Sequence, residues 1–133
     1  MVIVDTSALI AAVDRQDPNH IVASRFFQGE LGPLIIPAGI LAEICYFLET
    51  RYGPKSLDQF LGNVVGGGFM LDFVESDVQR VLTLVRRYHD LPLGYADAAV
   101  IACAERNGGR VATFDLRHFG VVAREGTITI LPS

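Results

Sequence analysis

Met1 is followed by three β-branched residues, Val2-Ile3-Val4, and then at once by a carboxylate, Asp5. The arrangement recurs far along the chain, where Val111-Ala112-Thr113-Phe114 runs into Asp115. A short apolar run without polar alternation reads as a strand buried on both faces, and such strands belong to parallel sheets covered by helices. Each of these two runs also delivers an acid at the strand's carboxyl end, where open parallel sheets bind their ligands.

The rest of the chain supplies the other strands and the covering helices. Leu34-Ile35-Ile36, stopped by Pro37, reads as a buried strand; Phe69 to Val74 alternates weakly, and Thr127 to Leu131 is the last strand. A helix over Ala8 to Val13 follows the first strand, with Thr6 or Ser7 as its cap. A second starts at the Asp17-Pro18-Asn19 break and runs through Phe26 and Phe27 to Gly29. Ala38 to Tyr52 is helical and ended by Gly53-Pro54, and Ser56 to Val65 suits a further helix. Ser76 caps a helix to about His89, with Val78, Val81, Leu82 and Val85 on one stripe. Tyr95 to Asn107 is a very apolar helix closed by Gly108-Gly109. Between Asp115 and the last strand the chain reads as a connection, with His118 close enough to Asp115 to touch a substrate but read first as an exposed loop residue. Gly66-Gly67-Gly68 lies between a helix and a strand, the wrong order for a phosphate cradle, and is a flexible link. Strands alternating with helices predict an α/β three-layer α/β/α sandwich, one domain over residues 1–133 without repeat or linker.

Half of the 133 residues are hydrophobic, enough for a core without disulfides or structural metal. Cys45 and Cys103, each in an apolar helical segment, are core filler in a reducing compartment. No basic leader and no membrane-length apolar stretch is visible, so a soluble cytoplasmic protein is expected, with no membrane partner. The net charge of −4 argues against a nucleic-acid partner, unless several acids hold metal. Two divalent ions would cancel it. Lys55 is the one lysine, so phosphate contacts would fall to arginine.

Four acids sit where a solvated acid does not belong. Asp5 and Asp115 terminate apolar strands, Glu43 lies within Ile40-Leu41-Ala42-Glu43-Ile44-Cys45, and Asp97 within Tyr95-Ala96-Asp97-Ala98-Ala99. Burying a lone carboxylate costs several kcal/mol unless it is paired or bound to metal. Few cations accompany these positions. A hard divalent cation would relieve the mutual repulsion, and an all-oxygen set favours Mg²⁺ or Mn²⁺ over zinc. Taken singly each acid has a plain reading too. Asp5 suits a helix cap, Asp97 a first-turn acid favoured by the helix dipole, Glu43 a solvent stripe, and Asp115 a turn. Asp72, in an equally apolar context, is set aside because alternation places it mid-strand, on the face opposite Phe69, Leu71 and Phe73.

The segments VIVDTSALIA, PAGILAEICYFL, LPLGYADAAVIACAERNGG and VATFDLRHF resemble the PIN-domain ribonucleases, and among them the VapC-type toxins of bacterial toxin–antitoxin pairs. The resemblance spans Met1 to about Phe119, with all four acidic motifs in order. It implies a five-stranded parallel sheet and metal ligation by Asp5 and Asp97. Glu43 and Asp115 would complete the site through a second metal or through waters, and Thr113 would hold a water or phosphate. It further implies Mg²⁺- or Mn²⁺-dependent hydrolysis of RNA, such as tRNA or rRNA, by an activated water, leaving a 5′-phosphate and a 3′-hydroxyl. A cognate antitoxin and a homodimer are the implied partners.

Arg15, Arg110 and Arg117, near the ends of motif-bearing segments, are candidates to grip phosphates. Arg80, Arg86 and Arg87 suit a solvated helix face. Tyr46, Phe47 and Tyr52 fit either a partner surface or the core. A phosphotransferase using Asp5 as nucleophile would want an acid at position 7, which is Ser7. A receiver domain would want a late lysine. The remaining rival is a catalytically silent PIN-like module that binds RNA or protein.

Overall fold

The computed structural model describes residues 1–133. The elements are β1 (Val2–Val4), α1 (Thr6–Val13), α2 (His20–Gly29) and β2 (Leu34–Pro37), then a 3-10 turn at Ala38–Ile40 leading into α3 (Leu41–Tyr52). There follow α4 (Pro54–Val65), β3 (Met70–Asp72), α5 (Asp77–Arg87), α6 (Tyr95–Arg106), β4 (Arg110–Ala112), α7 (Leu116–Ala123) and β5 (Thr129–Leu131). All strand pairs are parallel, in the order β3-β2-β1-β4-β5.

β1 is the centre of the sheet, and Val2, Ile3 and Val4 are each 0% exposed. Since successive strand residues point to opposite faces, helices must cover both, which gives the α/β/α layering. α6 packs across β1, β2 and β4, and its run from Ala98 to Ala104 is buried throughout. Five of the seven residues there are Ala or Cys, small enough to bring the helix close to the sheet.

The strand order puts a switch point between β1 and β4. The chain first builds outward through β2 and β3, then returns to the other side of β1 for β4 and β5. Crossovers diverge there and leave a crevice at the strands' carboxyl ends. Asp5 follows β1 directly, its N–H donating to Ala112 O at 3.0 Å, and Asp115 lies just beyond β4.

Several local expectations need correction. The segment after Asp115 is α7, so His118 is on a helix and half-buried rather than in an exposed loop. Neither Thr6 nor Ser7 caps α1, because Asp5 holds the N-cap position. Ser76 makes no capping bond from its side chain at α5. Asp72 ends β3 instead of lying mid-strand; it accepts from Asn107 Nδ2 at 2.7 Å and pairs with Arg106 at 3.3 Å. Arg80 and Arg87 are committed to ion pairs with Glu105 and Glu125, each at 2.7 Å. Cys103 is buried and Cys45 half-buried, both as free thiols. No helix is long and apolar enough to cross a membrane.

Candidate active site

Four helices begin at the carboxyl edge of the sheet with an acid in or beside their first turn. Asp5 is the N-cap of α1, Glu43 and Asp97 lie in the first turns of α3 and α6, and Asp115 is the N-cap of α7. Unsatisfied N–H groups and the helix dipole make each such end mildly positive, which partly offsets the crowding of negative charge. All four acids line one open cleft of about 410 Å³, together with Thr6, Ser7, Asp17, Asn19, Phe47 and Arg51.

Asp5 is 7% exposed and does not cap its helix with its side chain. It forgoes about 1 kcal/mol of capping and instead accepts at Oδ2 from Ser7 Oγ at 2.7 Å and Thr113 Oγ1 at 2.9 Å. These hydroxyls in turn accept the backbone N–H groups of Phe114 and Asp115, each at 3.0 Å. A hydroxyl has one proton, so with both protons spent on Asp5 the 3.1 Å between Ser7 Oγ and Thr113 Oγ1 is a contact, not a bond. Burial pushes the Asp5 carboxyl up, and the bonds from Ser7 and Thr113 oppose it. Thr6 Oγ1 donates to Glu43 Oε2 at 2.7 Å, fixing the second acid from the same tripeptide.

Asp97 is pushed up to about 6, first by burial and then by the charge of Asp5, with Asp115 and Glu43 adding to it and His118 opposing. His118 Nδ1 lies 2.8 Å from Asp115 Oδ2 and 4.0 Å from Asp97 Oδ2. A carboxylate only accepts, so Nδ1 carries the proton toward Asp115. Asp115 also accepts the His118 backbone N–H, so it caps α7 and faces the cleft at once. No Lys or Arg comes within ion-pairing distance of any of the four acids.

This donor set suits a hard divalent cation: carboxylates and hydroxyls, mutual repulsion at Asp97, and no Lys or Arg paired with the acids to relieve it. Asp97, Asp115 and His118 offer donor atoms within 4.8 Å of one another. That grouping differs from the Asp5–Asp97 pairing implied by resemblance, although Asp5 is the neighbour whose charge raises Asp97 most.

The three candidate phosphate-gripping arginines are not brought to the cleft. Arg110 opens β4, at the opposite end of the sheet, and pairs with Glu30 at 3.1 Å. Arg15 and Arg117 are exposed and outside the lining. Thr113, 1% exposed, is spent on Asp5 and Asp115 N. Tyr46 is exposed, Phe47 is half-buried in the cleft wall, and Tyr52 donates to Asp14 Oδ2 at 2.8 Å. Sequence reasoning missed Thr6, Ser7 and Arg51 as site residues, and favoured an exposed loop for His118, which lies on α7 against Asp115. The Asp-Thr-Ser run was the signal for the first two, and the four-residue spacing of Glu43, Phe47 and Arg51 the signal for Arg51.

The PIN domain family matches residues 2–125. Ribonuclease VapC26 of Mycobacterium tuberculosis is 31% identical over 134 residues, covering 98% of this chain and 99% of that protein. Among solved structures, Mycobacterium tuberculosis VapC20, described as a sarcin-ricin loop cleaving toxin, superposes with a TM-score of 0.81 at 17% identity, over 91% of this chain and 95% of that one. FitAcB from Neisseria gonorrhoeae superposes with a TM-score of 0.69 at 18% identity, over 98% and 96%. At those identities the two structures speak to the fold.

Proposed function

This chain belongs to the PIN domain family, and on that premise we propose that it is a VapC-type endoribonuclease, the toxin of a toxin–antitoxin pair, cutting RNA with Mg²⁺ or Mn²⁺ and so halting translation. One observation carries the reading. Four acids from four separate segments line a single cleft at the sheet's switch point, and no Lys or Arg neutralises them. Such an arrangement is costly for the fold and useful for binding a cation.

Asp5 and Asp97 would hold the ion, with Glu43 and Asp115 completing the site. When bound, the cation supplies Lewis acidity at a phosphate oxygen and lowers the pKa of a water. Ser7 and Thr113 donate to Asp5, fixing its rotamer and favouring its charged form against the pull of burial. Thr6 fixes the Glu43 carboxylate by its hydrogen bond, and the His118 ring aims Asp115. Glu43, which lines the cleft together with Asp97, would orient the attacking water. We read residues 1–133 as one domain acting in the cytoplasm on structured RNA such as tRNA or rRNA.

For the antitoxin, the supporting feature is an apolar groove of about 380 Å³ between α1, α2 and α4, lined by Leu9, Val13, Phe27, Phe60 and Phe69. For a homodimer it is the neighbouring trio Phe73, Val78 and Tyr95, each more than half exposed.

The deciding experiment incubates purified protein with total cellular RNA and Mn²⁺, then sequences the new ends. Defined cuts are expected from the unaltered chain, none from Asp97→Asn, and none with EDTA. Cleavage that persists in Asp97→Asn overturns the assignment; Mn²⁺ uptake without cleavage of tRNA or rRNA points to a silent binding module instead.

A further inference from the structure

Arg51 lies two turns beyond Glu43 on α3, with Phe47 between them, and all three line the acidic cleft. Steps of four residues put the three side chains on one helical face. Arg51 is the one Lys or Arg in a lining that contains five acids, Asp17 included. Yet it is exposed and forms no ion pair with any carboxylate. Its guanidinium carbon sits instead 4.9 Å from the centroid of the Phe47 ring. The turn that bears it is anchored, because the adjacent Tyr52 hydroxyl donates to Asp14 Oδ2 at 2.8 Å and ties the end of α3 to the end of α1.

A guanidinium held over an aromatic ring does not spend its N–H donors there and keeps the fork that fits two phosphate oxygens. Eight residues at a rise of ~1.5 Å place Arg51 about 12 Å along the helix from Glu43. That is too far to serve a phosphate held at the acids. An RNA strand lying in the cleft continues past those acids along the wall formed by α3. We propose that Arg51, seated on Phe47, binds a backbone phosphate of the RNA flanking the one that is cut. The assignment rests on the ribonuclease reading above and adds to it the residue that holds the strand.

The test titrates the full chain into a fluorescein-labelled single-stranded RNA of mixed sequence, with Ca²⁺ in place of Mn²⁺, over a salt series. Probe length is verified on a gel afterwards. Arg51→Gln is expected to bind about tenfold more weakly and to reduce the slope of log K against log salt by about 0.7, the loss of one phosphate contact on a single strand. Arg51→Lys keeps the slope while losing part of the affinity, and Phe47→Leu weakens binding through the loosened guanidinium. Mn²⁺ binding by Arg51→Gln, followed by calorimetry, is retained. An unchanged slope and affinity in Arg51→Gln overturns the proposal, including the case in which Arg51 instead meets a carboxylate of a protein partner. Tighter Mn²⁺ binding with an unchanged RNA slope overturns it too, since Arg51 then only tempers the acids. The ribonuclease reading fails separately, on the Asp97→Asn cleavage comparison, because the salt slope counts phosphate contacts whether or not the strand is cut.

Discussion

Burial, and after it the charges of Asp5, Asp115 and Glu43, push the Asp97 carboxyl up to about 6 from an ordinary 3.8. A carboxyl raised in the native state favours folding while protonated and opposes it while ionised. The native chain therefore takes up this proton first as pH falls through about 6, and the penalty is gone once pH drops below 3.8. Asn mimics the protonated acid. Metal-free Asp97→Asn is expected to be more stable than the unaltered chain by up to about 3 kcal/mol near neutrality, a gain that shrinks through this window and vanishes below it. Urea melts in EDTA across the range measure it. A variant no more stable than its parent at neutral pH would remove the claim that burial and neighbouring charge together oppose the ionisation of Asp97. Asp97 was legible in the sequence because an acid among alanines is locally anomalous. His118 was not, since only the turn of α7 shows that it faces Asp115 and Asp97.

The three-residue link Thr113–Asp115 between β4 and α7 is stitched to the start of α1. Thr113 reaches Asp5, Ser7 accepts Phe114 N–H, and Thr113 accepts Asp115 N–H. Thr113→Val keeps the shape and removes the oxygen. Asp5 then loses a donor and Asp115 N–H an acceptor, so a loss of about 1–3 kcal/mol is expected. Weaker Mn²⁺ binding should accompany it, by about 10–100-fold. An unshifted urea midpoint would show that the hydroxyl is incidental. The strands β1 and β2 were readable because buried parallel strands leave an uninterrupted apolar run. α7 escaped because its N-cap is also a site acid, and Gly120, Val121 and Val122 lower its helical preference. Its formation rests on packing, with Phe119 and Val122 buried against the core. Arg51 escaped for a related reason: a charge on a helix declares its direction only once the face shared with Glu43 is known.

At the scale of the whole molecule, the sheet draws together acids that span the chain from Asp5 to Asp115, and the fold bears their repulsion in the absence of an ion. A cation held among these acids would therefore act on global stability, because the unfolded chain does not present these groups together. At a free concentration of 100 times its dissociation constant, Mn²⁺ should add about 2.7 kcal/mol, or roughly 8 °C of melting temperature for a chain of this size. The shift should grow logarithmically with Mn²⁺. It should be absent in Asp5→Asn/Asp97→Asn, whose metal-free form starts out the more stable of the two. Differential scanning calorimetry with and without Mn²⁺ reads both effects. Equal shifts in the two proteins would place the ion elsewhere on the surface; no shift in either would mean that the convergence of these acids serves something other than metal.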